Sequence, residues 1–91
     1  MTNELIEARS GDNLVAFDGR VLELFGFSDP HRYHVSNLRI KVDDPDRKGR
    51  VPISIGHASK RGGAMFGVEP EDWPGVKAVV DRAAAAGAVL E

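Results

Sequence analysis

The segment Glu69-Pro70-Glu71-Asp72-Trp73-Pro74-Gly75 opens an Ala-rich, apolar-periodic stretch that stops at Gly87, and nothing before Pro70 carries a helical period. Trp73, Val76, Val80, Ala83 and Gly87 recur at helical spacing on one face, with Val79 beside them. Lys77, Asp81 and Arg82 fall on or near the other face, and Lys77 with Asp81 forms an i,i+4 pair. Asp72 is placed to cap the first turn, and Pro74 is tolerated there because its missing N–H would have no partner. Gly87 suits the residue just past the helix end, with Val89-Leu90 expected to fold back onto the last turn. One helix over about residues 71 to 87 must therefore close a chain whose remainder is extended. That restricts the fold to a mainly β, α+β class.

The segments before it alternate. Leu5 to Arg9 reads as a first short strand. Asn13 to Phe17 and Arg20 to Phe25 flank Asp18-Gly19, a link of the type I′ hairpin kind. Gly26-Phe27-Ser28-Asp29-Pro30 is a loop, and Arg32 to Ser36 resumes extended structure with Tyr33 and Val35 on one face. Leu38-Arg39-Ile40-Lys41-Val42 has a clean period of two, with Arg39 and Lys41 outward. Asp43 to Gly49 makes a polar loop before Val51, Ile53 and Ile55, where Pro52 must face an open edge or the strand's start. After Ser59-Lys60-Arg61-Gly62-Gly63, Ala64 to Val68 supplies another strand. Strands over about residues 4 to 68 and one helix make a single domain, residues 1 to 91. The expected core is Phe17, Leu22, Leu24, Tyr33, Val35, Leu38, Ile40, Val42, Ile53, Ile55, Phe66, Val68, Trp73, Val76 and Val80.

Ninety-one residues leave room for one modest core, and 42% hydrophobic with 29% charged residues argues for a folded chain. The formal net charge of −2 offers no global attraction to nucleic acid or anionic membranes. Without cysteine there are no disulfides, thiolates or cysteine zinc sites. The N-terminal residues show no signal-peptide pattern, and no apolar run approaches the ~20 residues that span a bilayer. A cytoplasmic location is expected.

No motif for catalysis, metal or cofactor emerges. His31 and His34 point to opposite faces of an extended segment, as odd spacing requires. The loop beginning at Asp44 imitates a calcium loop but has Lys48 at its fifth position and Ile55 at its twelfth. Gly56 to Gly63 lacks the Gly-Lys-Ser/Thr step of a phosphate loop and leads into a strand where a helix is needed. Ser28, Ser36 and Ser59 have histidines nearby but no nucleophile elbow.

About seven short strands in hairpin order followed by one amphipathic helix resembles the pleckstrin-homology-like superfold, as found in small bacterial domains. The run Tyr33 to Val42, the turn at Gly49, Phe66-Gly67-Val68 and Trp73 carry the resemblance, which spans about Leu5 to Gly87. It implies two roughly orthogonal antiparallel sheets forming a partly open barrel capped by the C-terminal helix. A small SH3-like or OB-like barrel is the alternative architecture. The resemblance also implies binding without catalysis. The phosphoinositide pattern of basic residues in the first two strands is absent, since Arg9 is opposed by Glu7 and Asp12. The expectation is a module for a protein or peptide partner, regulatory or scaffolding, in a groove between the Leu38–Val42 strand and the helix. Arg39, Lys41, Trp73 and Lys77 are its candidate contacts, and a partner strand would add beside Leu38–Val42. Two alternatives stand beside it: an anion or lipid-headgroup site at a loop rim of His31, Arg32, Lys60 and Arg61, and an accessory subunit of an enzyme.

Overall fold

The structure, a computed structural model, describes residues 5–26, 31–59 and 63–91. Four strands, β1 (Ile6–Ser10), β2 (Asn13–Phe17), β3 (Val21–Phe25) and β4 (His31–His34), form an antiparallel meander in sequence order. Three more, β5 (Leu38–Val42), β6 (Val51–His57) and β7 (Ala64–Val68), form a second meander. Helix α1 (Trp73–Ala85) follows, and a short β8 (Val89–Leu90) returns to the second sheet beside β5. The fold is mainly β with one C-terminal helix, as the sequence pattern requires.

Two features of the expected architecture differ. The sheets share no hydrogen-bonded strand and do not close into a barrel. The second sheet is also mixed, because β8 pairs parallel to β5. The cause lies at the helix end. The N–H of Ala88 reaches the carbonyl of Ala83, and that of Gly87 reaches Ala84, the paired bonds of a Schellman motif. This turn sends Val89-Leu90 along β5 instead of back over the helix.

One apolar cluster joins both sheets and α1. Leu22, Leu24, Leu38, Ile40, Ile55, Val68, Val76, Val79 and Ala83 are fully buried within it. Alternation located most of this cluster, since the inward positions of β3, β5 and β6 bury as the period of two demands. Four expected core residues, Tyr33, Val42, Phe66 and Trp73, are only partly buried against it. Val15, Val51, Ala64 and Ala88 join it unexpectedly. Ala16 is buried on the opposite face of β2, between Glu7 and Glu23 of the neighbouring strands. At the helix start, Gly75 lies over Ala8 of β1. The buried Ser10 hydroxyl accepts the N–H of Glu69 (3.0 Å), tying the end of β1 to the chain entering α1.

Local chemistry adjusts several boundaries. Val35 to Asn37 is a 3-10 turn, not strand, because His34 Nδ1 accepts the Ser36 N–H and Leu38 bonds back to Val35. Pro52 is the second residue of β6. Its carbonyl accepts from Asp43 (3.0 Å) and its nitrogen has no hydrogen to return, so the β5–β6 ladder ends at Val42 opposite Ile53. Asp72 stands at the helix N-cap but makes no side-chain cap bond.

The first hairpin shifts by one residue from the expected link. Phe17 pairs with Leu22, which leaves Gly19-Arg20 at the centre, with positive φ at Gly19 alone, the type II′ pattern. Asp18 Oδ1 accepts the N–H groups of Val21 (2.8 Å) and Arg20 (2.9 Å). These bonds, Val21's foremost, favour the carboxylate and hold its pKa below the ordinary value. A folded pKa below the unfolded one means this stabilisation is present above the ordinary carboxylate range and is lost as pH falls through the folded value. Wild type should therefore be more stable than Asp18→Asn near neutrality, with the gap closing in acid. Chemical denaturation from neutral to strongly acidic pH checks this. A constant gap would remove the carboxylate from the turn's stability.

Candidate functional site

A groove of about 360 Å³ lies between α1 and the β5–β8 edge, lined by Val42, Trp73, Lys77, Val80, Asp81, Leu90 and Glu91. Each side has a sequence cause. Val42 is the last inward residue of β5, where the ladder to β6 stops. Trp73 and Val80 project from the apolar face of α1, two turns apart, and Lys77 lies between them at i+4. Leu90 and Glu91 arrive by the turn at Gly87. Glu91 is held through its backbone, its N–H donating to Ile40 (2.8 Å) and its carbonyl accepting from Val42 (3.2 Å).

The groove has an apolar floor and a charged rim. Val42 and Trp73 are half-buried and Leu90 is 49% exposed, so apolar surface remains open to solvent. Lys77 Nζ lies 2.8 Å from Asp81 Oδ2, the pair expected from their spacing. Trp73, expected in the core and among the groove contacts, packs partly against the core and forms part of the groove wall.

The candidate partner contacts divide. Trp73 and Lys77 meet in the groove. Arg39 and Lys41 alternate with the buried Leu38 and Ile40 and so lie on the reverse face of the second sheet. Lys41 there approaches Asp43 (3.9 Å). The edge of β5 is also taken: β8 lies where a partner strand was expected to add. Leu90 and Glu91 were missing from the expected groove. Their signal was the alternating tail after Gly87, which reads equally well as a cover for the helix.

The alternative rim of basic residues is not assembled among the described residues. His31 and Arg32 are neighbours on β4 and face opposite sides of the sheet. His31 stacks parallel on Tyr33 at 6.4 Å, and Arg32 approaches Glu23 (3.7 Å). Lys60 and Arg61 lie outside the described residues.

The histidines near serines form two matching turns. His34 Nδ1 is 2.8 Å from Ser36 Oγ and accepts the Ser36 N–H (3.2 Å), and His57 with Ser59 repeats both distances. The turns adjoin where Ala58 donates to the Asn37 carbonyl. In each, the ring nitrogen's lone pair serves the turn. Among the described residues no three His, Asp or Glu side chains converge as metal ligands, and no helix is long and apolar enough to cross a membrane.

No protein-family model, curated protein or solved structure matches this chain.

Proposed function

We propose that this protein is a non-catalytic interaction module that seats one apolar side chain of a partner peptide in the groove between α1 and β5–β8. The observation that carries the reading is the open apolar floor of Val42, Trp73, Val80 and Leu90 beneath a charged rim. A volume of about 360 Å³ suits one large side chain. Lys77 and Asp81 neutralise each other across 2.8 Å, so Glu91 sets the rim's charge and favours a peptide with a basic residue beside its apolar anchor. Seven strands in two antiparallel meanders followed by a helix support a pleckstrin-homology-like affinity, with β8 as a departure that replaces strand addition by side-chain docking. A regulatory or scaffolding subunit suits such a surface.

Peptide display against the wild-type protein, followed by calorimetry, tests it. The selected peptides should share an apolar anchor next to Lys or Arg. Trp73→Ala should weaken them by about tenfold or more, roughly 1.4 kcal/mol, while remaining folded because Trp73 is only half-buried. The pair Arg39→Glu and Lys41→Glu, on the reverse face, should leave affinity unchanged. Peptides that ignore Trp73→Ala and fail on the Arg39 and Lys41 reversals would place binding on the other side of the sheet.

A further inference from the structure

Strand β7, Ala64-Met65-Phe66-Gly67-Val68, stands at the end of its sheet with β6 on one side. Natural edge strands are usually guarded by charge, proline, a bulge or shortness. Among the described edges, β1 carries Glu7 and Arg9, β4 carries Arg32, and β8 has two residues. β7 has five residues, no charge and no proline, and its Met65 is 70% exposed. It is the least protected of these edges.

The ladder shows which backbone groups point outward. Asp43 bonds to the Pro52 carbonyl, so Pro52 faces β5, and by alternation Val51, Ile53 and Ile55 face β7. Their partners Val68, Phe66 and Ala64 spend their N–H and carbonyl groups on β6. Met65 and Gly67 direct theirs away from the sheet.

We infer that β7 pairs antiparallel with β7 of a second copy of this chain about a two-fold axis at Phe66. In that register Met65 of one copy opposes Gly67 of the other, and each of the two such pairs exchanges both N–H···O bonds. Phe66 opposes Phe66, a favourable cross-strand aromatic pair that covers its half-buried ring. Ala64 opposes Val68 on the same face as the Phe66 pair, and on the other face the long Met65 lies over a glycine. A strand that complements itself in this way suits an isologous dimer better than an unrelated partner. Charge does not oppose the pairing, since Arg50 neutralises Glu69 beside the end of β7 at 3.3 Å. The contact is one short strand wide, so the dimer is weak and concentration-dependent.

Sedimentation velocity on the full chain, from low micromolar to near-millimolar concentration, tests this together with amide hydrogen exchange. The expected result is a monomer–dimer equilibrium in which the Met65 and Gly67 amides gain protection as concentration rises. The Phe66 amide, already bonded to β6, should change little. Met65→Lys, at a solvent-exposed position, should keep the fold and abolish the dimer. A monomer at every concentration, or a dimer that survives Met65→Lys, overturns the inference. So does concentration-dependent protection confined to β1 or β4.

Discussion

Phe17→Ala is expected to lower the unfolding free energy by about 3–5 kcal/mol, a large part of the roughly 5–15 kcal/mol that stabilises a domain. Phe17 is 2% exposed at the end of β2, between Ile6 of β1 and Leu22 of β3. Its ring belongs to the cluster shared by both sheets and α1. Truncation removes apolar contact and leaves a cavity whose walls belong to paired strands and relax only partly. Phe25 is the internal control: it has the same chemistry on the adjacent strand but is 37% exposed. Phe25→Ala should cost about 1–2 kcal/mol, clearly less than Phe17→Ala, since solvent already covers more than a third of its surface. Urea unfolding of both variants checks the difference. Equal midpoints would mean that the two aromatics do not occupy the different environments described.

The fold was legible wherever alternation or helical period coincided with a boundary signal. Leu38–Val42 and Ala64–Val68 have the predicted limits, and α1 buries Val76, Val79, Val80 and Ala83 as its spacing requires. Misreadings arose where a side chain or a neighbouring strand competes with the local pattern. His34 bonds the Ser36 amide and turns an alternating segment into a 3-10 turn. Asp18 accepts two backbone N–H groups, moving the hairpin centre to Gly19-Arg20. Neither bond has a hydrophobic signature.

The site was less legible because it depends on two elements meeting. The pleckstrin-homology-like resemblance implies the groove, and the helix period places Trp73 and Lys77 on the side of α1 that lines it. Arg39 and Lys41 join them only because the resemblance implies a groove along Leu38–Val42, and the period that makes them outward places them on the reverse face. Leu90 and Glu91 reach the groove through a parallel pairing with β5. Two residues are too few for a period to declare itself, and only the Schellman turn at Gly87 aims them. Edge occupation is a tertiary fact, and here β8 occupies the side of β5 where a partner strand was expected to add.

Gly63→Ala should destabilise the protein by about 3 kcal/mol or more, through backbone conformation and collision together. Gly63 leads into β7 with φ of +130°, a region that L residues rarely adopt. A Cβ built there would strike the carbonyl oxygen of Ile55 and lie 2.9 Å from the Gly56 Cα. Those atoms belong to β6, which is paired on both sides and cannot yield without disturbing β5 and β7. Gly11 separates the two contributions. Its φ of +58° is left-handed, yet a Cβ there would meet nothing within 4 Å. Gly11→Ala should therefore cost only the dihedral penalty, about 1–2 kcal/mol. Denaturant unfolding of both variants, with amide exchange across β6 and β7, measures the contrast. If Gly63→Ala cost no more than Gly11→Ala, the close approach of Gly63 to β6 would be wrong.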